Sequence, residues 1–127
     1  MLLLDEIVSE TESTIVCRKT FRAEEFFFQG HYPNFPLVPG VILCEAAMQA
    51  GAVLLSKFVD PSTGVPVAGR LNDVKFKKMI RPGDTVTIEV EHIERVADAF
   101  FLNAKVMCDG KISVRLEFAV TLATMET

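Results

Sequence analysis

A histidine, a carboxylate and a helix start fall close together in this sequence, and their types can support proton chemistry. His31 follows Gly30 and precedes Tyr32-Pro33; Gly40 comes nine residues after it and Glu45 fourteen. An imidazole can act as a general base, and a carboxyl group among apolar residues, where desolvation favours its neutral form, can act as a general acid. Glu45 has such company in Leu43, Cys44, Ala46, Ala47 and Met48. Gln49 lies one helical turn further on, on the same face, so its amide can hold the Glu45 rotamer. Between His31 and Gly40, Pro33, Pro36 and Pro39 recur every third residue. Each fixes its own φ and biases its predecessor towards extended geometry, which holds the histidine on a stiff loop. A helix starting after Pro39 offers unpaired N–H groups and the positive end of its dipole, which suits a developing oxyanion. Base, acid and oxyanion donors are the parts needed to remove a proton beside a carbonyl and expel a leaving group. Singly, each has a structural alternative: a loop histidine, a helix glutamate held by a packing partner, a stiff proline loop. Their combination at this spacing points to a site. His92, at the end of a strand pattern, is read as structural.

The elements that must position these groups are marked by a change of periodicity. Val41 to Lys57 reads as a helix of four to five turns, opened by Pro39-Gly40 and closed before Asp60-Pro61. It is apolar on nearly every side, with one narrow stripe of Glu45, Gln49, Ser56 and, in line, Ala52, so other elements must wrap it. Gly51 within it is tolerable where a backbone or a ligand approaches closely. The wrapping comes from the second half, where the apolar period becomes two. Val86, Ile88 and Val90 alternate with polar residues, as do Phe100 to Val106 and Ile112 to Leu122. These predict long half-buried antiparallel strands, with a further strand over Val74 to Ile80 and weaker candidates at 2 to 9 and 13 to 20. Cys108-Asp109-Gly110-Lys111 predicts a tight hairpin, and Arg81-Pro82-Gly83-Asp84 a proline-glycine turn. Residues 1–127 are therefore expected to form one α+β domain, a long helix against a strongly curved antiparallel sheet.

Composition narrows the functions. With 127 residues, half of them apolar, the chain can build a core without a staple. Three cysteines without C-x-x-C spacing and only two histidines argue against a disulfide framework or zinc cluster, so no metal is expected and a reducing cytosol is. The opening Met1-Leu2-Leu3-Leu4-Asp5-Glu6 has neither the cationic flank nor the apolar run of a secretory signal, which again predicts a cytoplasmic protein. The apolar stretch from Pro36 to Leu55 is interrupted by Pro39, Glu45 and Gln49, and a carboxylate at a bilayer centre costs about 2.5 to 3.5 kcal/mol, so it is not read as a membrane span. A net charge of −4 argues against nucleic acid or an anionic membrane. Yet Arg70, Lys75, Lys77, Lys78 and Arg81 stand against the single acid Asp73 within twelve residues. Such a patch fits an acidic partner, or simply a solvated strand face.

The run G-H-Y-P-x-x-P-x-x-P-G-V-x-x-x-E-A-x-x-Q, from Gly30 to Gln49, resembles the signature of the FabZ-type 3-hydroxyacyl-acyl-carrier-protein dehydratases, which have the hot-dog fold. The similarity extends to Leu3-Leu4-Asp5, Phe27-Phe28-Gln29-Gly30, Val74-Lys75-Phe76-Lys77 and Arg81-Pro82-Gly83-Asp84, in order along most of the chain. Tyr32 and Asn34-Phe35, beside the signature histidine, depart from the family's usual Phe and Gly-His. The resemblance implies dehydration of a 3-hydroxyacyl thioester on acyl carrier protein to the trans-2-enoyl thioester, without cofactor or metal. It implies His31 as the base at C2, Glu45 as the acid at the C3 hydroxyl, Gly40 as the N–H donor to the thioester carbonyl at a helix start shared with Val41, and Gln49 as the residue orienting Glu45. It further implies a homodimer, often a trimer of dimers, in which base and acid come from different subunits. The basic stretch then suits carrier docking through Lys75, Lys77, Lys78 and Arg81, and Phe28, Phe35 and Met48 are candidates for the acyl tunnel. Hot-dog thioesterase and non-catalytic acyl binding are the competing readings; the loop histidine with its prolines argues against the first, and the pair His31 and Glu45 against the second.

Overall fold

Alternating sequence in the second half becomes three long strands, each with one buried face. The computed structural model describes residues 3–22, 38–58 and 65–123. In chain order the elements are β1 (Glu6–Glu10), β2 (Thr14–Thr20), α1 (Gly40–Leu55) with a short 3-10 turn (Ser56–Phe58), β3 (Val65–Phe76), β4 (Thr85–Val96), β5 (Ala99–Cys108) and β6 (Lys111–Ala123). The six strands form one sheet in the order β1-β2-β4-β5-β6-β3, and each neighbouring pair is antiparallel. Val86, Ile88 and Val90 of β4, Leu102, Ala104 and Val106 of β5, and Val114, Leu116, Phe118 and Val120 of β6 are all buried, as the period of two requires. The architecture is α+β; among the described residues, one long helix lies against a six-stranded sheet.

The expected turns form for the expected reasons. Asp109 and Gly110 both have positive φ, 52° and 76°, between the paired residues Cys108 and Lys111, which is a two-residue hairpin matched to strand twist. Gly83 at φ 95° occupies the left-handed position of the Pro-Gly turn, where the Asp84 N–H donates to Arg81 O and the Arg81 N–H to Asp84 Oδ2.

Three elements differ in their bounds from the sequence reading. α1 ends at Leu55, two residues early, where the Ser56 N–H turns to Val53 O and the chain tightens into a 3-10 turn; the Ser56 hydroxyl also donates to Val53 O, at 2.7 Å. The first strand starts only at Glu6. The third begins nine residues before Val74 and stops at Phe76, since the N–H groups of Lys77 and Lys78 both turn to Ser113 O. Pro66 and Gly69 disguise its first half; proline is tolerated there because β3 is an edge strand. Register breaks between Ala68 and Arg70 and between Asn72 and Lys75, with Asp73 at φ 49°, further spoil its alternation.

α1 lies on the sheet through Leu43, Ala46, Ala47, Ala50, Gly51, Leu54 and Leu55. Small residues bring the helix close: a Cβ on Gly51 would stand 2.7 Å from Phe118 Cζ. The feature that Gly51 accommodates is thus an aromatic side chain, neither a backbone nor a ligand. The sheet does not cover the whole helix. Val41, Glu45, Met48, Gln49, Ala52 and Ser56 form a stripe that stays half-buried or exposed, and the two polar site candidates of the helix lie on it. Among the described residues no helix is long and apolar enough to cross a membrane.

Candidate active site

The helix start is built without a cap of its own. Pro39 occupies the N-cap in extended geometry (φ −56°, ψ 139°), no side chain among the described residues bonds the end, and the first turn carries no acid. Its carbonyl accepts the Ile42 N–H at 2.9 Å, so the N–H groups of Gly40 and Val41 stand ahead of the first intrahelical bond. The preceding Val38 is buried, and its N–H donates to Ile80 O at 2.7 Å, tying the helix entry to the connection between β3 and β4. From β3, the ring of Phe76 lies over Gly40, so near that a Cβ there would stand 2.5 Å from its Cε1. Gly40 is therefore the residue that lets ring and helix end approach together.

Glu45 follows about 7.5 Å along the axis and lies one turn beyond Val41 on the open stripe. It is half-buried, between the buried Cys44 and Ala46. Gln49, one turn deeper, places its Nε2 3.4 Å from Glu45 Oε1, a long contact in the expected direction. The other end of the same amide is held firmly: the Leu3 N–H donates to Gln49 Oε1 at 2.6 Å. That second partner, forty-six residues away, has no signature in the sequence, because a backbone N–H belongs to every non-proline residue. Met48 sits half-buried beside the pair. His31, Phe28 and Phe35 lie outside the described residues.

The basic residues divide into two groups. Lys77, Lys78 and Arg81 lie on the β3–β4 connection that borders the helix entry through Ile80 and Phe76; Lys78 reaches Asp109 at 3.8 Å. Lys75 belongs to the opposite face of the sheet. It lines a groove of about 710 Å3 with Asp73, Glu89, Glu91, Arg115 and Glu117, a mixed-charge surface that contains none of Gly40, Val41, Glu45, Met48 or Gln49. This groove is not the apolar tunnel expected along the helix. Lys75 thus lines a strand-face groove that does not include the other three docking candidates, which lie on the connection beyond the end of β3.

His92, expected to be structural, packs against two aromatic rings. Its ring sits between Phe58 and Phe100, at centroid distances of 6.1 and 5.5 Å, and Nε2 is 3.1 Å from Glu94 O at the β4 bulge. All three cysteines are buried and unbridged. Burial raises the thiol pKa of Cys17 and Cys44 above the ordinary 9.0; at Cys108 burial does the same, helped by Asp84 and Asp109. Cys44, next to Glu45, is accordingly a packing thiol at neutral pH and not a nucleophile.

Comparison with known proteins shows the family to which the chain belongs. Residues 7–113 match the ApeI-like family, described as ApeI dehydratase. The chain is 40% identical over 112 residues to the 3-hydroxyacyl-[acyl-carrier-protein] dehydratase FabZ of Clostridium perfringens, spanning 88% of this chain and 81% of that protein. It is 38% identical over 123 residues to the FabZ of Streptococcus pneumoniae serotype 4, spanning 94% and 87%. Among solved structures, the dehydratase heterocomplex ApeI:P from Xenorhabdus doucetiae aligns with a TM-score of 0.77 at 13% identity, over 97% of this chain and 84% of that one. A mutant thioesterase from Pseudomonas aeruginosa aligns with a TM-score of 0.76 at 16% identity, over 94% and 81%. Neighbours this distant in sequence share the fold, which both chemistries use. Fold, helix signature and curated relatives together make this chain a member of the hot-dog 3-hydroxyacyl-acyl-carrier-protein dehydratase family that includes FabZ.

Proposed function

We propose that this chain dehydrates a (3R)-3-hydroxyacyl thioester on acyl carrier protein to the trans-2-enoyl thioester, in fatty acid or polyketide synthesis. His31 removes a proton from C2 while the N–H at Gly40 stabilises the charge that develops on the thioester oxygen. Glu45, oriented by Gln49, gives its proton to the C3 hydroxyl, which departs as water. The imidazolium and the carboxylate then return to their starting forms by proton exchange through solvent once product has left. Water is the sole leaving group, the thioester stays intact, and no redox partner is required. The observation that carries this reading is the Glu45–Gln49 pair on the open helix stripe, one turn from an uncapped helix start.

Two further features fit. Leu71 and Phe76 on the edge strand β3, with Met79 and Val41 beside them, form an exposed apolar margin of the kind that a second copy of the chain would cover. A homodimer paired along this margin is the assembly that a site with its base and acid on different subunits would require. The cationic Lys77, Lys78 and Arg81 at the helix entry suit an acidic carrier protein, and three unbridged thiols suit the cytosol.

The test is product analysis with a 3-hydroxyacyl thioester. Enoyl absorbance should grow without release of free thiol; thiol release alone would identify a thioesterase, and neither would identify an acyl-binding protein. His31→Ala and Glu45→Ala should each lower turnover by about 10² to 10⁴. Co-refolding the two inactive variants should restore about a quarter of wild-type activity, since half the dimers are mixed and each has one intact site of two. Verified mixed dimers without activity would refute a shared site.

A further inference from the structure

The amide of Gln49 can face either way, and its two orientations have opposite chemical consequences for Glu45. With the NH₂ towards Glu45, the amide donates to Oε1, and the acidic proton must reside on the other oxygen, Oε2, free for a substrate hydroxyl. With the carbonyl towards Glu45, the amide would accept that proton itself and draw it away from the substrate. Helix geometry places Gln49 beside Glu45 in both cases. A group outside the helix bears directly on the choice. Leu3 N–H can only donate, and it lies 2.6 Å from one terminal atom of Gln49, so that atom is the oxygen and the NH₂ is turned to Glu45.

Leu3 is itself fixed. Its side chain is 1% exposed, within the core. Two residues on, the Asp5 N–H donates to Arg18 O at 2.9 Å, and Asp5 Oδ2 accepts the Thr20 N–H at 2.7 Å. Asp5 Oδ1 lies 3.7 Å from the ammonium of the buried Lys19. The segment before β1 is thus pinned to β2 on one side and delivers its N–H to the helix on the other.

We propose that the backbone N–H of Leu3 is a positioning group for dehydration: it sets the orientation of the Gln49 amide and through it directs the proton of Glu45. This rests on Glu45 being the acid, and the N-terminal segment becomes part of the catalytic apparatus without touching substrate.

The chain offers a route to remove that single N–H. A synthetic thioester of residues 1–16 can be ligated to residues 17–127, which begin with Cys17, and the full chain refolded. Replacing Leu3 by its α-hydroxy acid substitutes an ester oxygen for the N–H and keeps the side chain. The expected result is a fall in kcat of about threefold to tenfold, the worth of one neutral hydrogen bond, with KM unchanged. The same ester at Leu4 should leave kcat alone. In the Gln49→Leu background the Leu3 ester should change nothing further, because the group it acts through is gone. An unchanged kcat in the Leu3 ester, or an equal loss with and without Gln49, overturns the proposal; the second result would make Leu3 a general structural strap. If the ester chain does not refold, Leu3→Pro removes the same N–H in a recombinant protein and is read against Gln49→Leu in the same way. Glu45→Gln separates the two claims: full dehydration in that variant would refute the acid assignment, whatever the ester does.

Discussion

Gly51→Ala sets two well-measured effects against each other. Alanine in mid-helix gains about 1 kcal/mol over glycine. A Cβ at this position, however, would lie 2.7 Å from Phe118 Cζ, 2.9 Å from Cε2 and 3.4 Å from Leu102 Cδ2. Carbon atoms rest about 3.5 to 4.0 Å apart, so the ring must retreat by about 1 Å. It has no solvent side to move into, because Phe118 and Leu102 are each 1% exposed. Overpacking of a closed core costs about 1 to 3 kcal/mol, which exceeds the propensity gain except at its lower end. The expected net effect is a loss of about 1 kcal/mol, or roughly 3 to 5 °C in Tm for a chain of this length. Thermal circular dichroism at equal protein concentration measures it. The double variant Gly51→Ala/Phe118→Leu supplies the check on cause: the new methyl fills part of the space that the shortened side chain leaves, so the two losses should fall short of additivity by about 1 kcal/mol. A single variant melting at or above the parent would show that helix propensity decides this site. An additive double variant would show that Phe118 is not what Gly51 accommodates.

Other consequences are simpler to state. The three thiols should resist thiol–disulfide exchange with a small disulfide reagent at pH 8 and react together on denaturation; a fast stoichiometric burst from the native protein would contradict their burial. Their raised pKa values also set a direction for stability. Below pH 9.0 the thiols are protonated in both states and contribute no slope, whereas above it the unfolded chain ionises first, so stability should fall as pH rises further. That decline in Tm should be shallower in Cys44→Ala, and an identical decline would refute the assignment. His92→Ala removes the ring between Phe58 and Phe100 and should cost about 1 kcal/mol of stability with kcat unchanged; a hundredfold loss of kcat in a folded variant would make His92 catalytic.

What could be read from the residues alone follows the range of the forces involved. β4, β5 and β6 were legible because each buries one face, and a period of two then has to appear in the chain. The pair Glu45 and Gln49 was legible because four residues on a helix are one turn, whatever the rest of the fold does. β3 was half hidden, since an edge strand tolerates Pro66 and two register breaks that erase its pattern. The division between Lys75 on the strand and its basic neighbours on the connection was hidden too: a run of cations along the chain does not say where a strand ends and a connection begins.

The same division runs through the site itself. Residue types and helical spacing specify that Gln49 meets Glu45, yet they leave the amide free to point either end at the acid. That remaining choice depends on a strand-side segment whose identity as Leu-Leu-Asp matters for its anchoring, while the group it delivers is a bare N–H. A chain with the same E-A-x-x-Q helix but a different segment ahead of β1 would therefore carry every residue of the helix motif and still lack a defined direction for its proton. The helix motif specifies which groups meet, and the packing of the N-terminal segment specifies which way the amide faces when they do.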